Sequence, residues 1–437
     1  MPVSLFSSSI HSPLFADDDL ARLFGDASDV AHMVQVERAL AIVEGNLEII
    51  PADAAHAIAE TLQNLRIEPT DLAEGTRSAG VPVPALVSEL RKRVGGTAAN
   101  WIHWGATSQD IIDTAMILQV KAALGLQSAR LEKLIDTLER QSERLATRLM
   151  AGRTRSQVST PITLGYRIAQ WAHPLIDAEA ALPELRRTAL RVQFGGASGI
   201  NTAIAPNGPA VAEALARELD LEAGPSWHVN RTPVLAIAAW LQQVSSGLAK
   251  MAGDLVLLGR SEIAELSSGT GGGSSTMPQK ANPVQSETIL ALNRIVIAAQ
   301  AGLVSAGSPL EERDGSVWPL EWHFLPQIMI AVGAALTHAQ LLAETLVSNE
   351  TGLDRTLEAH PELMAETASF VLARHGVPRA EAKKLVGDAA SGSSPFLESL
   401  KSASNLDVDW DEELSLQSAI APASEMSKEI FARRLRR

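Results

Sequence analysis

The 437-residue chain contains no cysteine. That absence excludes disulfides, thiolate metal sites and cysteine nucleophiles, and it leaves no sign of an oxidising compartment. Positive charge is also short: 37 Lys and Arg stand against 51 Asp and Glu, a formal net charge of −14. A general nucleic-acid binder needs a basic face, so that class is set aside. An anionic ligand in such a chain has to be held by a local cationic pocket. Residues 1–12 lack a basic segment followed by an apolar one, so no secretory signal is expected there. The most apolar stretches, 289–302 and 325–346, are broken by Asn293, Arg294 and Gln300, and by Gln327, His338 and Glu344. A bilayer-spanning helix should not carry that many polar groups, so both stretches predict helices buried in protein. The expectation is a cytoplasmic protein that engages neither membrane nor nucleic acid.

Strand patterning is missing too. No segment sustains period-two alternation with β-branched enrichment, and no repeat of fixed period occurs. Helical periodicity is what remains. Leu131, Leu134, Leu138, Leu145 and Leu149 recur at spacings of three, four and seven, a seam for packing against another long helix. A second apolar block runs through Val234, Leu235, Ile237, Trp240, Leu241, Val244, Leu248 and Met251. These patterns predict an all-α fold built on an elongated bundle of long helices. Breakers divide the chain into three expected domains: short helices over 1–106, the long-helix bundle over 107–348, and short helices again over 349–437.

Five polar blocks punctuate this pattern. "GTGGGSSTMPQKANPV", residues 269–284, combines a Gly-rich half with a Pro-stiffened Lys/Asn half. A linker explains the glycines alone. The phosphate-loop spacing G-x-x-x-x-G-K-[ST] fails because Ala281 follows Lys280, and the dinucleotide spacing fails at Ser274. The composite composition instead suits a loop that closes over a ligand. "HWGATSQDIIDT", residues 103–114, reads as a helix start with Thr107 and Asp110 spaced like a capping box. Free N–H groups beside two hydroxyls and a histidine also make a carboxylate site. "GRTRSQVSTPITLG", residues 152–165, holds Arg153, Thr154, Arg155 and Gln157; a solvated helix end accounts for any single basic pair. "QFGGASG", residues 193–199, suits tight backbone packing. In "PSWHVNRTP", His228 and Arg231 precede an apolar helix, where a lone histidine is more often structural. No H-E-x-x-H or carboxylate–histidine cluster is present, so a catalytic metal is not supported; no cofactor is expected.

"GSSTMPQKANP" resembles the G-S-S-x-M-P-x-K-x-N-P signature of the fumarase/aspartase superfamily, and "HWGATSQD" and "GRTRSQ" resemble its first two blocks in the right order. The resemblance implies a three-domain, all-α subunit and a homotetramer whose active sites each draw on three subunits. It implies that Ser274 transfers the proton next to a carboxylate, with Lys280 as the competing donor. Lys280 and Asn282 would bind that carboxylate, and Thr107 and Ser108 would clamp a second. His103, Thr154, Gln157, His228, Arg231, Ser275 and Met277 would line the same pocket.

One departure matters. Superfamily lyases of the argininosuccinate and adenylosuccinate type carry Thr-His in the second block, and here the pair is Thr154-Arg155. A guanidinium cannot cycle a proton near neutral pH, but it can hold an anion. "FGGASG", "MPQKANPV" and Glu321-Trp322 are similar to the carboxymuconate cycloisomerase branch, which lacks that histidine. The resemblance therefore implies lactonisation of a small tricarboxylate without a cofactor. A sulfomuconate substrate, an adenylosuccinate- or argininosuccinate-type lyase, and a scaffold without turnover stay open as alternatives.

Overall fold

The computed structural model describes residues 4–273, 276–392 and 394–434. Helices carry the architecture. The two that open the site region are α1 (Asp26–Asn46) and α2 (Val83–Val94). Five more, each of at least 21 residues, follow: α3 (Ser108–Arg144), α4 (Leu164–Ala189), α5 (Thr232–Leu258), α6 (Val284–Val304) and α7 (Trp318–Glu344). The strands among the described residues form two antiparallel pairs, β1 (Leu149–Thr154) with β2 (Gln157–Thr163) and β3 (Leu266–Ser267) with β4 (Val347–Ser348). The fold is all-α, as the periodicity predicts.

Leu131, Leu134 and Leu138 of the leucine seam are buried, but the helix does not continue to Leu149. α3 ends at Arg144, and Leu149 opens β1. The reason is local. The carbonyls of Leu145 and Arg148 accept the Gly165 and Leu164 N–H groups at 2.9 and 2.8 Å, so they are taken by the returning chain. Ser142 Oγ donates to the Gly165 carbonyl at 2.8 Å, and a Cβ on Gly165 would meet the Ser142 carbonyl oxygen at 2.4 Å.

The chain divides into two compact units. Unit 1 comprises Met1–Arg130, Ala181–Ser245 and Leu292–Ala335; unit 2 comprises Leu131–Ala180, Ser246–Ala291 and Leu336–Arg437. In unit 1 the core joins Met33 and Leu40 of α1, Leu86 and Leu90 of α2, Ile111 and Ala115 of α3, and Phe194. This core anchors the first turn of α3. In unit 2 the C-terminal helices close a separate core around Leu372, Phe396, Leu400 and Trp410. There Arg434 pairs with Asp136 and Glu139 of α3 at 2.7 and 2.9 Å, fastening the chain end.

The two stretches singled out for their hydropathy behave differently. Of its most apolar window, α7 buries 61%, whereas α6 buries 33% and leaves Ile297 and Val304 exposed.

Candidate active site

The site residues fall into two sets. His103, Thr107, Ser108, His228 and Arg231 belong to unit 1; Thr154, Arg155, Gln157, Met277, Lys280 and Asn282 belong to unit 2. Ser274 and Ser275 lie outside the described residues.

In unit 1, α3 starts at Ser108, where a capping box was expected. The structure shows its reciprocal half: the Thr107 N–H donates to Asp110 Oδ2 at 3.0 Å, and the Asp110 N–H donates to the Thr107 carbonyl at 3.0 Å. The first N–H groups of the helix have no carbonyl four residues back and face outward. Asp110 does more than cap. Its carboxylate also accepts from the Gly195 and Gly196 N–H groups at 2.9 and 3.0 Å and from Gln193 Nε2 at 3.1 Å. Burial pushes its pKa up to about 6, against these hydrogen bonds, which pull it down. The glycine turn is thus clipped onto the helix start.

That turn must be glycine for a further reason. Gly199 has φ +90, and a Cβ there would lie 2.1 Å from His228 Cε1, so the imidazole rests on bare backbone. A chain of hydrogen bonds orients the ring. Gln193 Oε1 accepts the Trp227 N–H at 2.7 Å, which orients its amide to donate to Ser226 Oγ at 2.8 Å. Ser226 Oγ and His228 Nδ1 share a 2.9 Å hydrogen bond; with the hydroxyl donating, the ring proton sits on Nε2. Burial and then the neighbouring Arg313 hold His228 below the usual imidazole range. Neutral His228 therefore offers an N–H donor.

Arg231 requires a correction. It was expected to line a substrate pocket, but its side chain is 1% exposed and fully engaged. Nη1 and Nη2 donate to Asp113 at 2.7 and 3.1 Å, Nε and Nη2 donate to Glu321, the former at 2.8 Å, and the guanidinium stacks 4.6 Å from the Trp227 ring. Two buried carboxylates fix it in place, so it serves the frame and cannot meet a ligand. The guanidinium beside His228 is Arg313, which donates to Gln109 Oε1 and the Gly196 carbonyl, both at 3.1 Å. Gln109 closes the network through its Nε2, to the His228 carbonyl at 2.9 Å and Asp113 at 3.1 Å. His103 joins by another route, sharing a 2.6 Å hydrogen bond from Nδ1 to Glu37 Oε1.

Asp110, Asp113, Gln109 and Arg313 were not picked out as site residues. Asp113 left a signal: a carboxylate between Ile112 and Ala115, both buried, demands a partner.

In unit 2, Thr154, Arg155 and Gln157 do not form a helix end. They make the tip of the β1–β2 hairpin, where Thr154 pairs with Gln157. Arg155 and Ser156 have φ +50 and +65, the left-handed pair that a two-residue hairpin turn demands. Neither is a glycine or asparagine, so the turn holds Arg155 at the tip at a strain of about 1–3 kcal/mol. Arg153, by contrast, is structural: its guanidinium grips fully buried Glu265, with Nη1 at 2.8 Å from Oε2.

The Gly-rich loop leaves β3 and returns to α6. Gly272 and Asn282 exchange backbone hydrogen bonds at 2.9 and 2.8 Å, closing its neck. A Cβ on Gly272 would lie 2.3 Å from Val284 Cγ2, so that strand pairing needs glycine. The Lys280 N–H donates to the Met277 carbonyl at 3.1 Å, a turn that leaves both side chains exposed. Among the described residues no carboxylate pairs with Lys280 or Arg155. The neck is tied down, and the cations at the tips are exposed.

These features have counterparts elsewhere. A family model described as lyase matches residues 19–297. A 3-carboxy-cis,cis-muconate cycloisomerase of Pseudomonas aeruginosa is 35% identical over 380 residues, which are 84% of this chain and 82% of that one. A nitrosuccinate lyase of Streptomyces davaonensis is 34% identical over 355 residues, 78% of this chain and 75% of that one. The crystal structure of the 3-carboxy-cis,cis-muconate lactonizing enzyme from Pseudomonas putida matches with a TM-score of 0.88 and 30% identity, covering 98% of this chain and 99% of that chain. By fold, motif order and sequence, this chain belongs to the lyase family of the fumarase/aspartase superfamily.

Proposed function

We propose that this lyase-family enzyme is a cycloisomerase that closes 3-carboxy-cis,cis-muconate to its lactone, as in protocatechuate breakdown. The observation that carries this reading is Arg155, an exposed guanidinium at a strained hairpin tip where elimination enzymes of the superfamily hold a proton-transferring histidine. In lactonisation one carboxylate oxygen of the muconate adds to a double-bond carbon. The electron pair moves into the adjacent carboxylate as an aci-carboxylate, and the neighbouring carbon then takes a proton. Run backwards, the leaving group is a carboxylate, stable as an anion and in little need of a general acid. A fixed cation is then a better use of that position than a titrating one.

Lys280, Asn282 and the loop N–H groups would face the developing charge, where each preorganised donor contributes about 2.7–4 kcal/mol in comparable sites. Ser274 would deliver the proton. Its alkoxide needs Lys280 or the loop amides for stability. Thr107, Ser108 and neutral His228, with Arg313 in place of Arg231, would hold a second carboxylate. Thr154, Gln157, Ser275 and Met277 would complete the pocket. Homotetramer formation would cover the exposed apolar face of α6 and assemble each site from blocks of three cytoplasmic subunits. The three regions 1–106, 107–348 and 349–437 would be its domains.

The test is loss of diene absorbance when purified protein meets 3-carboxy-cis,cis-muconate. A panel with 3-sulfomuconate, adenylosuccinate, argininosuccinate and nitrosuccinate decides between substrates. Cleavage of a succinate derivative with no muconate consumed would overturn the proposal, and the similarity to a nitrosuccinate lyase makes that compound the sharpest competitor.

A further inference from the structure

Glu37 plays no part in the chemistry above, yet its side chain is 1% exposed in the middle of α1. Oε1 lies 2.6 Å from His103 Nδ1, and Oε2 is buried without a hydrogen-bond partner among the described residues. His103 stands four residues before Thr107, in the loop that ends at the α3 N-terminus, and its backbone has φ +65. A non-glycine residue in that region costs about 1–3 kcal/mol, and such strain concentrates at functional positions. In this conformation the imidazole reaches Glu37 through Nδ1, while Nε2 has no hydrogen-bond partner among the described residues.

We propose that Glu37 is a positioning residue for His103: it fixes the ring through Nδ1 and leaves Nε2–H to donate to a substrate carboxylate beside Thr107 and Ser108. A carboxylate behind a histidine sets the ring's orientation and its proton inventory, as in other carboxylate–histidine pairs. The groups facing His103 are Glu37 from α1, Asp110 from α3 and Arg91 from α2, whose guanidinium donates to the Ile102 carbonyl at 3.3 Å. Burial and Arg91 oppose protonation of the ring. Glu37's charge and hydrogen bond, with Asp110's charge, outweigh them and raise its pKa. Glu44, farther along α1, adds no charge at neutral pH, because burial and then Glu37 push its pKa up to about 9. The raised pKa widens the pH range in which the ring carries both N–H groups.

The inference rests on the reading of the α3 N-terminus as a carboxylate clamp, so its test has one arm that needs no substrate. In that arm the ten histidines are followed by imidazole NMR, with His103 assigned from His103→Gln. Glu37→Gln should lower the His103 pKa and release its tautomer; an unmoved titration overturns the proposal. In the kinetic arm, Glu37→Gln should raise KM about tenfold, the loss of one charge-assisted hydrogen bond, with a smaller change in kcat. The sign of the pH effect is fixed: the raised pKa keeps His103 charged to higher pH, so as pH rises the variant's 1/KM should fall before that of wild type. Adding Glu37→Gln to His103→Gln should leave KM unchanged within about twofold, because Glu37 then has nothing to position. Additive effects would show a merely structural role and sink the idea. Should Glu37→Gln fail to fold, Glu37→Asp is read by NMR on the same criterion. A wild-type protein inert on the whole panel defeats the functional reading but leaves the NMR arm intact.

Discussion

The two units carry their site residues in opposite ways. In unit 1 the polar groups around the start of α3 are saturated: Arg231 by Asp113 and Glu321, Asp110 by three N–H groups and an amide, Gln109 by Arg313 and the His228 carbonyl. In unit 2 Arg155 and Lys280 stand exposed at the tips of a hairpin and a loop whose bases are tied by backbone pairing. The difference separates two jobs. A saturated buried network holds dipoles where charge will develop, and it loses stability when cut. An unpaired cation at a tip contributes little to folding and is free to meet an anion. Substitutions in unit 1 should therefore register first in stability, and those in unit 2 first in turnover or KM.

The largest effect expected is on the loop. Ser274→Ala should cut kcat by about 10²–10⁴, the range for losing a positioned proton donor, with the melting temperature unchanged. Stopped-flow loss of the diene signal and a thermal melt on the same sample measure both. Unchanged turnover would pass the proton to Lys280.

Next comes the strongest test of the buried frame. Arg231→Met strands Asp113 and Glu321 and should cost about 3–5 kcal/mol in urea unfolding, as when one partner leaves a buried ion pair. If stability holds and only KM rises, Arg231 is a substrate anchor after all, and the comparison between the units collapses.

Arg155→His should raise KM by about 10–100-fold while kcat at saturation stays within a few-fold, as when a hydrogen bond to a charged group is lost. Stability should not fall, because the tip has no buried contacts to lose. Abolished turnover at saturating substrate would instead assign Arg155 to the chemistry.

Much of this contrast was legible in the chain, and its limits are physical. Spacings of three and four report burial of one helix face, so the long helices could be read directly. The loop over 269–284 stood out because its composition is local. The hairpin escaped because its turn uses Arg155-Ser156, not the Asn-Gly or Asp-Gly that announces positive φ. Arg231 was misassigned because its partners, Asp113 and Glu321, lie 118 and 90 residues away. Pairing at that range is a tertiary fact that no local window contains. The pairing of Glu37 with His103, 66 residues apart, escaped in the same way.

The smallest expected effect runs the other way. Glu44 is 0% exposed in α1, and both of its carboxyl oxygens are buried without partners among the described residues. Glu44→Met keeps a similar volume and removes two unsatisfied polar atoms, so it should stabilise the protein by about 1–3 kcal/mol. The gain should depend on pH. Burial, and then Glu37, hold the native carboxyl at a pKa of about 9, against an ordinary glutamate value of 4.5. Between those values the native state keeps a proton that the unfolded state has released, so wild-type stability declines as pH rises. The variant lacks that slope, and its advantage in chemical denaturation should widen from pH 5 to pH 9. A constant advantage across that range would mean that Glu44 is ionised in the folded protein, with a cation or water beside it. Unit 1 would then be less dry at its centre than the saturated network around Arg231 implies.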